Sequence, residues 1–143
     1  MDLQKIEAPT EKEQIVGQLD SFKAGLLRDI DRAFGKLDYT DTKILICFYY
    51  PRRANTLSGL RALSFRVLVT ELRKRGVLLG LEGIRTRVKK IVSYGLLRVK
   101  RDPFGKSRFR NIRFYYPLPD KMLVERIREN IREKNRQMGL NEL

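Results

Sequence analysis

Apolar side chains recur every three or four residues near the start of the chain, a spacing typical of one helix face. The members of this stripe are Ile15, Leu19, Phe22, Leu26, Ile30, Phe34 and Leu37. Thr10 and Glu13 supply the pattern of a capping box, so we predict a helix over residues 11–36. At about 1.5 Å per residue such a helix is about 40 Å long. This length favours a dimer arm over a core helix that crosses its own domain.

Three shorter helices are predicted next, over residues 42–49, 66–75 and 81–94. Thr40 or Asp41 is expected to cap the first of them, and Pro51 ends it. Gly76 and Gly95 stand where a glycine commonly ends a helix. The basic connection between the first two of these helices has no clear periodicity, and we assign no register to it.

Alternating apolar and polar residues predict a β-hairpin after the third short helix. Its strands are expected over residues 97–101 and 108–116, and an Asp-Pro-Phe-Gly turn at residues 102–105 joins them. This alternation leaves the basic residues of the hairpin on the outside. The positions expected to face inward are Leu97, Val99, Ile112 and Phe114.

A final helix is predicted over residues 121–138, with Asp120 as its N-cap. Its apolar positions form a thin, heptad-like stripe, which we interpret as a second dimerisation surface. The fold class is therefore mainly α with a small β-hairpin. The predicted divisions are a tail over 1–9, a dimerisation helix over 10–37, a core over 40–116 and a C-terminal helix over 119–143. The expected dimer interface comprises Ile15, Leu19, Phe22, Leu26, Ile30, Val124, Ile127 and Ile131.

Positive charge is concentrated in the middle of the chain. Residues 51–116 contain 18 Lys/Arg and 3 Asp/Glu, whereas residues 1–50 contain 7 and 9, and residues 117–143 contain 6 and 5. Solubility alone does not require such segregation, but a face that binds a polyanion does. We therefore expect a nucleic acid as the partner, ahead of an anionic membrane or an acidic protein.

The order of helix, helix, turn, helix and basic hairpin resembles the winged helix-turn-helix family. The stretch from Ile84 to Val99 carries this resemblance, because a basic helix runs through Gly95, Leu96 and Leu97 into the first strand. With its long flanking helices, the whole chain resembles the MarR-type dimeric regulators. The resemblance implies a winged helix-turn-helix core between long N- and C-terminal helices, and a homodimer that binds double-stranded DNA as a transcriptional regulator.

Residues 81–94 are interpreted as the recognition helix. If Ile84, Val88 and Ile91 face the core, the opposite face carries mainly donors and cations. A helix of this kind fits the major groove of DNA, where it reads the edges of the bases. The residues that we predict to contact base edges are Arg85, Thr86 and Lys89.

The wing and the loop after Pro51 are expected to contact the DNA backbone or an adjacent minor groove. The hairpin supplies several cations to this surface, Arg113 among them, and the recognition helix adds two polar residues from its second half. The residues predicted to make backbone contacts are Lys90, Ser93, Arg52, Arg53, Arg101, Lys106, Arg108 and Arg110.

The sequence lacks the residues that most often carry out catalysis. It contains no His and a single Cys, Cys47, which lies in an apolar helix and is interpreted as a small core residue. Its acidic residues show no metal-ligand spacing, and glycine-rich phosphate loops are missing. We therefore predict no enzymatic activity, no catalytic or metal site and no cofactor. Regulators of this kind can bind small-molecule effectors, but no polar cluster here identifies a pocket for one.

The longest apolar run, residues 44–50, is far shorter than the roughly 20 residues of a membrane span. With no signal peptide recognised and one Cys, we expect a cytoplasmic, nucleoid-associated protein. The 34% charged content favours a thermophilic prokaryotic or archaeal source. Two other functions stay open, namely a DNA-architectural or RNA- or ribosome-binding protein without sequence preference, and a protein-interaction module in a transcription or replication complex.

Overall fold

The computed structural model describes residues 10–52, 60–101 and 112–139. Within these ranges the chain is mostly helical and has one small antiparallel sheet, as the sequence predicts. The elements in chain order are α1 (Glu11–Phe34), α2 (Tyr39–Tyr49), β1 (Leu63–Ser64), α3 (Phe65–Lys74), α4 (Leu81–Ser93), β2 (Leu97–Arg101), β3 (Arg113–Pro117) and α5 (Lys121–Gln137).

The helix starts are set by side-chain caps. The capping box of Thr10 and Glu13 is confirmed at the start of α1. At α2 the predicted caps Thr40 and Asp41 are wrong, and the helix starts three residues before the predicted position, at Tyr39. Asp38 is the N-cap, because its carboxylate accepts a hydrogen bond of 2.9 Å from the Asp41 N–H while Asp41 accepts one of 3.1 Å from the Asp38 N–H.

Both predicted glycine stops are confirmed by backbone geometry. Gly76, after α3, has φ of 83°, and Gly95, after α4, has φ of 77°. Glycine adopts this left-handed region without the steric penalty that a Cβ would bring. The turn between α3 and α4 and the sharp entry from α4 into β2 both depend on these two positions.

The three strands pair in the order β1-β3-β2, and both pairings are antiparallel. The sequence prediction missed β1, which is only two residues long and pairs Leu63 with Tyr115. Strand β3 ends at Pro117, and the part of the predicted strand from 108 to 111 lies outside the described residues. Of the positions expected to face inward, Leu97 is buried, and Val99 lies on the same side of the sheet but is 41% exposed. Phe114 pairs with Lys100 on the opposite side, so the prediction that Phe114 faces inward is wrong. Val99 lies where the hairpin extends past the edge of the core.

The core is built from α2, the second half of α1 and α5, with α3, α4 and the sheet closing it. Four residues expected at a dimer interface are instead buried inside this single chain. They are Ile30, Val124, Ile127 and Ile131. The stripe on α5 packs against α1 and α2, and Ile30 joins the same core from α1, so the predicted dimer contacts are wrong for these four residues.

Tyr49 connects three segments at the centre of the fold. Its buried hydroxyl donates a hydrogen bond of 3.1 Å to the carbonyl of Leu96 and accepts one of 3.0 Å from the N–H of Leu118. The end of α2 is thereby joined to the residues just before β2 and just after β3. A buried phenol with both hydrogen bonds made stabilises the core, whereas an unpaired one would destabilise it.

Two further findings concern the character of the helices. Cys47 is buried in α2, as predicted, and burial raises the pKa of its thiol to about 11. In the described part of the chain, no helix combines the length and apolar character needed to cross a bilayer.

Candidate nucleic-acid interface

Helix α4 turns one apolar side to the core and presents a polar side to solvent. Ile84, Val88 and Ile91 are fully buried, as their spacing predicts. The opposite face is therefore outside, and the prediction that Arg85, Thr86 and Lys89 are exposed there is confirmed. Gly80 is the N-cap of α4 and supplies no side-chain cap, so the first N–H groups of the helix lack a partner from that side chain.

Two other cations of α4 bind carboxylates at the start of α2. Arg87 bonds to both Asp38 and Asp41, the second at 3.2 Å, and Lys90 bonds to Asp41. The side chain of Asp41 is 0% exposed, while those of Arg87 and Lys90 are 27% and 33% exposed. We call these four residues the acidic clamp. Lys90, which we predict to contact the DNA backbone, is thus engaged in an ion pair within the chain and keeps one third of its side chain exposed.

The electrostatics of the acidic clamp appear most clearly at Asp38. Burial alone would raise the pKa of this carboxyl, but the Arg87 guanidinium and the Asp41 N–H lower it from 3.8 to about 2. The carboxylate in turn raises the pKa of Arg87. Opposite charges that share hydrogen bonds favour the charged form of each other. Both groups are therefore charged at neutral pH, and the clamp fixes the rotation of α4 on α2.

Arg85 is held in place by two contacts on the other side of α4. Its guanidinium lies 2.8 Å from a carboxylate oxygen of Glu82, one turn earlier, and 4.8 Å from the centre of the Phe65 ring. Its side chain stays 46% exposed. The stacked, planar guanidinium is thus ordered before any ligand arrives, and part of it remains free to donate.

The hydroxyl groups of α4 donate within the helix. Thr86 donates to the carbonyl of Glu82 at 2.9 Å, and Ser93 donates to the carbonyl of Lys90 at 2.6 Å. A bond to a phosphate oxygen needs a donor, so the predicted backbone contact of Ser93 would require its hydroxyl to turn away from the Lys90 carbonyl. Thr86 keeps its acceptor lone pairs and its methyl group on the exposed face, where both can meet a base edge.

An open groove of about 520 Å³ runs along the polar side of α4. The start of α3, α4 and β3 form its walls, and we call it the α4 groove. In the described part of the chain, its cations Arg66, Lys89 and Arg113 have no acidic partner. The residues that line it are Ser64, Phe65, Arg66, Arg85, Lys89, Ile112, Arg113 and Tyr115.

Sequence reasoning missed Arg66 as a site residue. It lies in the first turn of α3, whose N-cap Ser64 accepts a hydrogen bond of 3.4 Å from Val67. The α3 pattern itself gives no reason to single out this cation, because the pairing of β1 with β3 is what brings it beside Arg113 on the wall of the groove. Arg66 could have been identified from the sequence only if the pairing of β1 with β3 had been predicted.

Several other predicted contact residues lie away from the α4 groove. Arg52 is exposed and borders a separate cavity of about 370 Å³ that Arg61, Glu71 and Lys74 also line. Arg101 is exposed at the end of β2, where it pairs in register with Arg113. The remaining four predicted backbone contacts lie outside the described residues. They are Arg53, Lys106, Arg108 and Arg110.

Cations predominate among the charged residues that line both cavities. Among the residues that the structure describes, no group of three His, Cys, Asp or Glu side chains could hold a metal ion. The α4 groove offers cations, aromatic edges and hydroxyl groups, which is the chemistry of a surface that binds anions. No protein-family profile, curated protein or solved structure matches this chain. Its function is therefore inferred from α4 and the surfaces around it.

Proposed function

We propose that residues 40–116 form a winged helix-turn-helix domain and that the chain acts as a homodimeric, sequence-specific regulator bound to double-stranded DNA. The order α2, β1, α3, α4, β2, β3 supports the domain assignment, as does the pairing of β1 with β3. In this arrangement α3 and α4 are the helix-turn-helix pair, and β2 and β3 are the stem of the wing.

The observation that carries the DNA-binding proposal is the division of the cations on α4. The acidic clamp neutralises Arg87 and Lys90, which anchor the helix. Arg85 and Lys89 point into the α4 groove beside two further cations of α3 and β3. A rigid helix with ordered donors on its outer face fits the major groove of a duplex, and the flanking cations fit the phosphates on either side.

Sequence selection is assigned to three residues on the outer face of α4. Arg85, with its planar guanidinium, fits the two acceptors of a guanine, and Thr86 fits a thymine methyl group or a hydrogen-bond donor on a base edge. Lys89 reaches base edges one turn further along the helix. Arg66 and Arg113, from the walls of the groove, are assigned to backbone phosphates.

The test is the affinity of the protein for random duplex DNA and for a pool of genomic fragments, at two salt concentrations. A steep decrease of affinity with salt together with enrichment of a few fragments is the expected result. Arg85→Ala should then reduce binding to the enriched site and relax the preference at one base pair. The matched control is Arg28→Ala, which removes an exposed arginine from α1. Salt-independent binding, or equal effects of both variants, would refute the proposal.

The dimer is assigned to the first half of α1. Ile15, Leu19 and Phe22 are 53%, 54% and 66% exposed, on an apolar stripe that the rest of the described chain leaves uncovered. This half of α1 carries one lysine and three acidic residues, a small net charge of −2 in a chain of net charge +14. Two copies can therefore approach here with little repulsion, whereas their central segments repel each other.

A pair of α1 helices would hold two copies of α4 on half-sites about 34–36 Å apart. The expected DNA site is accordingly a palindrome. Leu19→Glu should convert the dimer to a folded monomer in sedimentation equilibrium, because it places a charge in the apolar stripe. The control is Gln18→Glu, which adds the same charge at the neighbouring exposed position. A wild-type protein that is already monomeric would refute this part of the proposal.

A further inference from the structure

The side of the sheet that faces away from the core carries a second set of aromatic and basic residues. Side chains alternate along β3, so Tyr115 points to the core while Phe114 and Tyr116 point to the opposite side. Tyr115 packs against the core cluster, whereas Phe114 and Tyr116 are half-buried and do not join it. Core packing therefore does not explain why both outward positions of β3 are aromatic.

Two cations of β2 stand beside these rings. Arg98 is paired in register with Tyr116, and Lys100 with Phe114, so all four residues share one side of the sheet. Both cations are exposed, and neither has an acidic partner among the described residues. The Lys100 ammonium lies 5.9 Å from the centre of the Tyr116 ring. We call Arg98, Lys100, Phe114 and Tyr116 the outer sheet face.

We propose that the outer sheet face binds single-stranded nucleic acid, with a base stacked on each ring and phosphates held by the two cations. Aromatic rings interleaved with cations form the usual platform for unpaired strands, because every base has a π-face and every nucleotide carries a charge. This site goes beyond the duplex-binding function proposed above, since it uses different residues on the opposite side of the sheet from Tyr115 and the α4 groove.

The spacing of the rings explains why the strand must be unpaired. Residues two apart on a strand are separated by about 7 Å, roughly twice the 3.4 Å rise between stacked bases of one DNA strand. The two rings thus fit consecutive bases that have been separated from each other, and a duplex does not offer such bases. The contact of Lys100 with Tyr116 is a weak exposed cation–π pair, so a base can replace the ammonium while Lys100 moves to a phosphate.

An acidic protein is the competing partner for such a surface, but its chemistry uses only half of the outer sheet face. Carboxylates would pair with Arg98 and Lys100 and leave the rings of Phe114 and Tyr116 without a contact. Single-stranded nucleic acid uses all four residues, because it combines flat apolar bases with regularly spaced negative charges.

The experiment measures the affinity of the full chain for oligo(dT) and oligo(rU) of about 12 nucleotides, a length within the range of such sites. The variant is Phe114→Leu/Tyr116→Leu, which keeps apolar strand residues but removes both rings. The matched control is Tyr39→Leu, which removes a half-buried tyrosine from the Tyr39–Lys43 cation–π pair on α2. Lys100→Gln serves as a second variant that tests the same face without altering the packing of the rings.

We expect the loss of each ring to lower single-strand affinity by roughly 5- to 150-fold, so the double variant should lose more than either single change, and its duplex affinity should stay within about twofold. Tyr39→Leu should alter neither affinity, and Lys100→Gln should weaken single-strand binding and lower its salt dependence. The ratio of oligo(dT) to oligo(rU) affinity identifies which strand the protein prefers. If the protein bound neither oligonucleotide, the single-strand site would be refuted. The proposal of duplex binding would not be affected by that result.

Two other outcomes would also overturn the inference. An equal loss of single-strand and duplex binding in the double variant would mean that the rings support the fold or the wing as a whole. Displacement of the oligonucleotides by poly-glutamate at equal charge concentration, with no effect of ring removal, would mean that the face recognises charge alone and suits an acidic protein.

Discussion

Two pairs of cations on α4 have opposite surroundings, although they lie within six residues of one another. Arg87 and Lys90 are paired with Asp38 and Asp41, in a region where one carboxylate is fully buried. Lys89 has no acidic partner in the described chain, and Arg85 has only the exposed Glu82. Their distribution divides α4 into a side that is held by ion pairs to α2 and a side that is left to solvent.

The difference is decided by α2 and not by α4 itself. The carboxylates of the acidic clamp lie 46 to 49 residues away in sequence from the cations that they bind. They also cap the first turn of α2, so one pair of residues both starts a helix and positions another. Single substitutions in the acidic clamp or on the exposed side of α4 should therefore affect stability and DNA affinity separately.

The largest effect is expected from Asp41→Ala. This change leaves Lys90 and Arg87 half-buried without their shared carboxylate and removes one side of the α2 capping box. Breaking a buried ion pair on one side costs about 3–5 kcal/mol, which urea denaturation should reveal as a lower free energy of unfolding. The control is Asp29→Ala, an exposed aspartate of α1, which should change stability by less than about 0.5 kcal/mol. Equal effects would mean that the clamp is not a stabilising structure.

The next largest effect is expected on duplex affinity, where two adjacent lysines of α4 should differ. Lys89→Ala should weaken binding to the enriched DNA site by about 1–3 kcal/mol, the usual cost of losing a contact with a base. Lys90→Ala removes the same group one position later, but its ammonium is already bound to Asp41. It should lower the free energy of unfolding and change the affinity of folded protein by less than about twofold. Similar affinity losses in a filter-binding or anisotropy assay would contradict the division of α4 into two sides.

A smaller effect is expected from acid titration of Asp38. Its pKa is lowered to about 2 in the folded protein, against 3.8 for the free group. The stability that it contributes is therefore fully present above about pH 4 and is lost as the pH falls through 2. Because the side chain is 53% exposed, screening limits this contribution to about 0.5–1 kcal/mol.

Comparison of the wild type with Asp38→Asn isolates this contribution from the other carboxylates. The difference in free energy of unfolding between the two proteins, measured with urea at a series of pH values, should narrow between pH 4 and pH 2. A difference that stays constant over this window would show that the Asp38 carboxylate is not held by Arg87 in solution.

The smallest effect is expected from Glu82→Gln. It releases Arg85 from an exposed ion pair worth about 0.2–1 kcal/mol and removes a negative charge from the exposed side of α4 that is proposed to face DNA. Affinity for random duplex DNA should increase by up to about fivefold. Glu133→Gln is the matched control, because Glu133 pairs with Arg136 three residues later on α5. A decrease in affinity would mean that Glu82 orients Arg85 more than it competes with DNA.

Local patterns predicted the elements of the fold but not the contacts between them. The bounds of β2, the N-cap Asp120 and the outward face of α4 all follow from residues within one turn or one strand. The stripe on α5 correctly indicated a buried face, but its partner could be another chain or the same chain. Only the packing of α5 on α1 and α2 decides that its apolar residues belong to the core.

The candidate site shows the same division. Thr86 and Lys89 were found because a helical wheel places them opposite the buried residues, and Arg85 because the wheel places it on the flank of that face. Arg66 and the acidic clamp were missed, because both depend on contacts between segments far apart in sequence. A strand of two residues, such as β1, is also too short to show alternation, so the pairing that forms the α4 groove left no local signal.

Tyr49 has a consequence for how this chain can vary. A single phenol joins Leu96 and Leu118, the residues on either side of the hairpin, so the segment between them leaves and re-enters the domain at one anchored point. A segment that is closed at its base can change in length with little cost to the rest of the fold. Lengthening or shortening the hairpin beyond its paired strands is thus a natural way for evolution or engineering to alter what the protein contacts. Tyr49 itself is a residue that such changes must leave in place, because it anchors both ends of the hairpin.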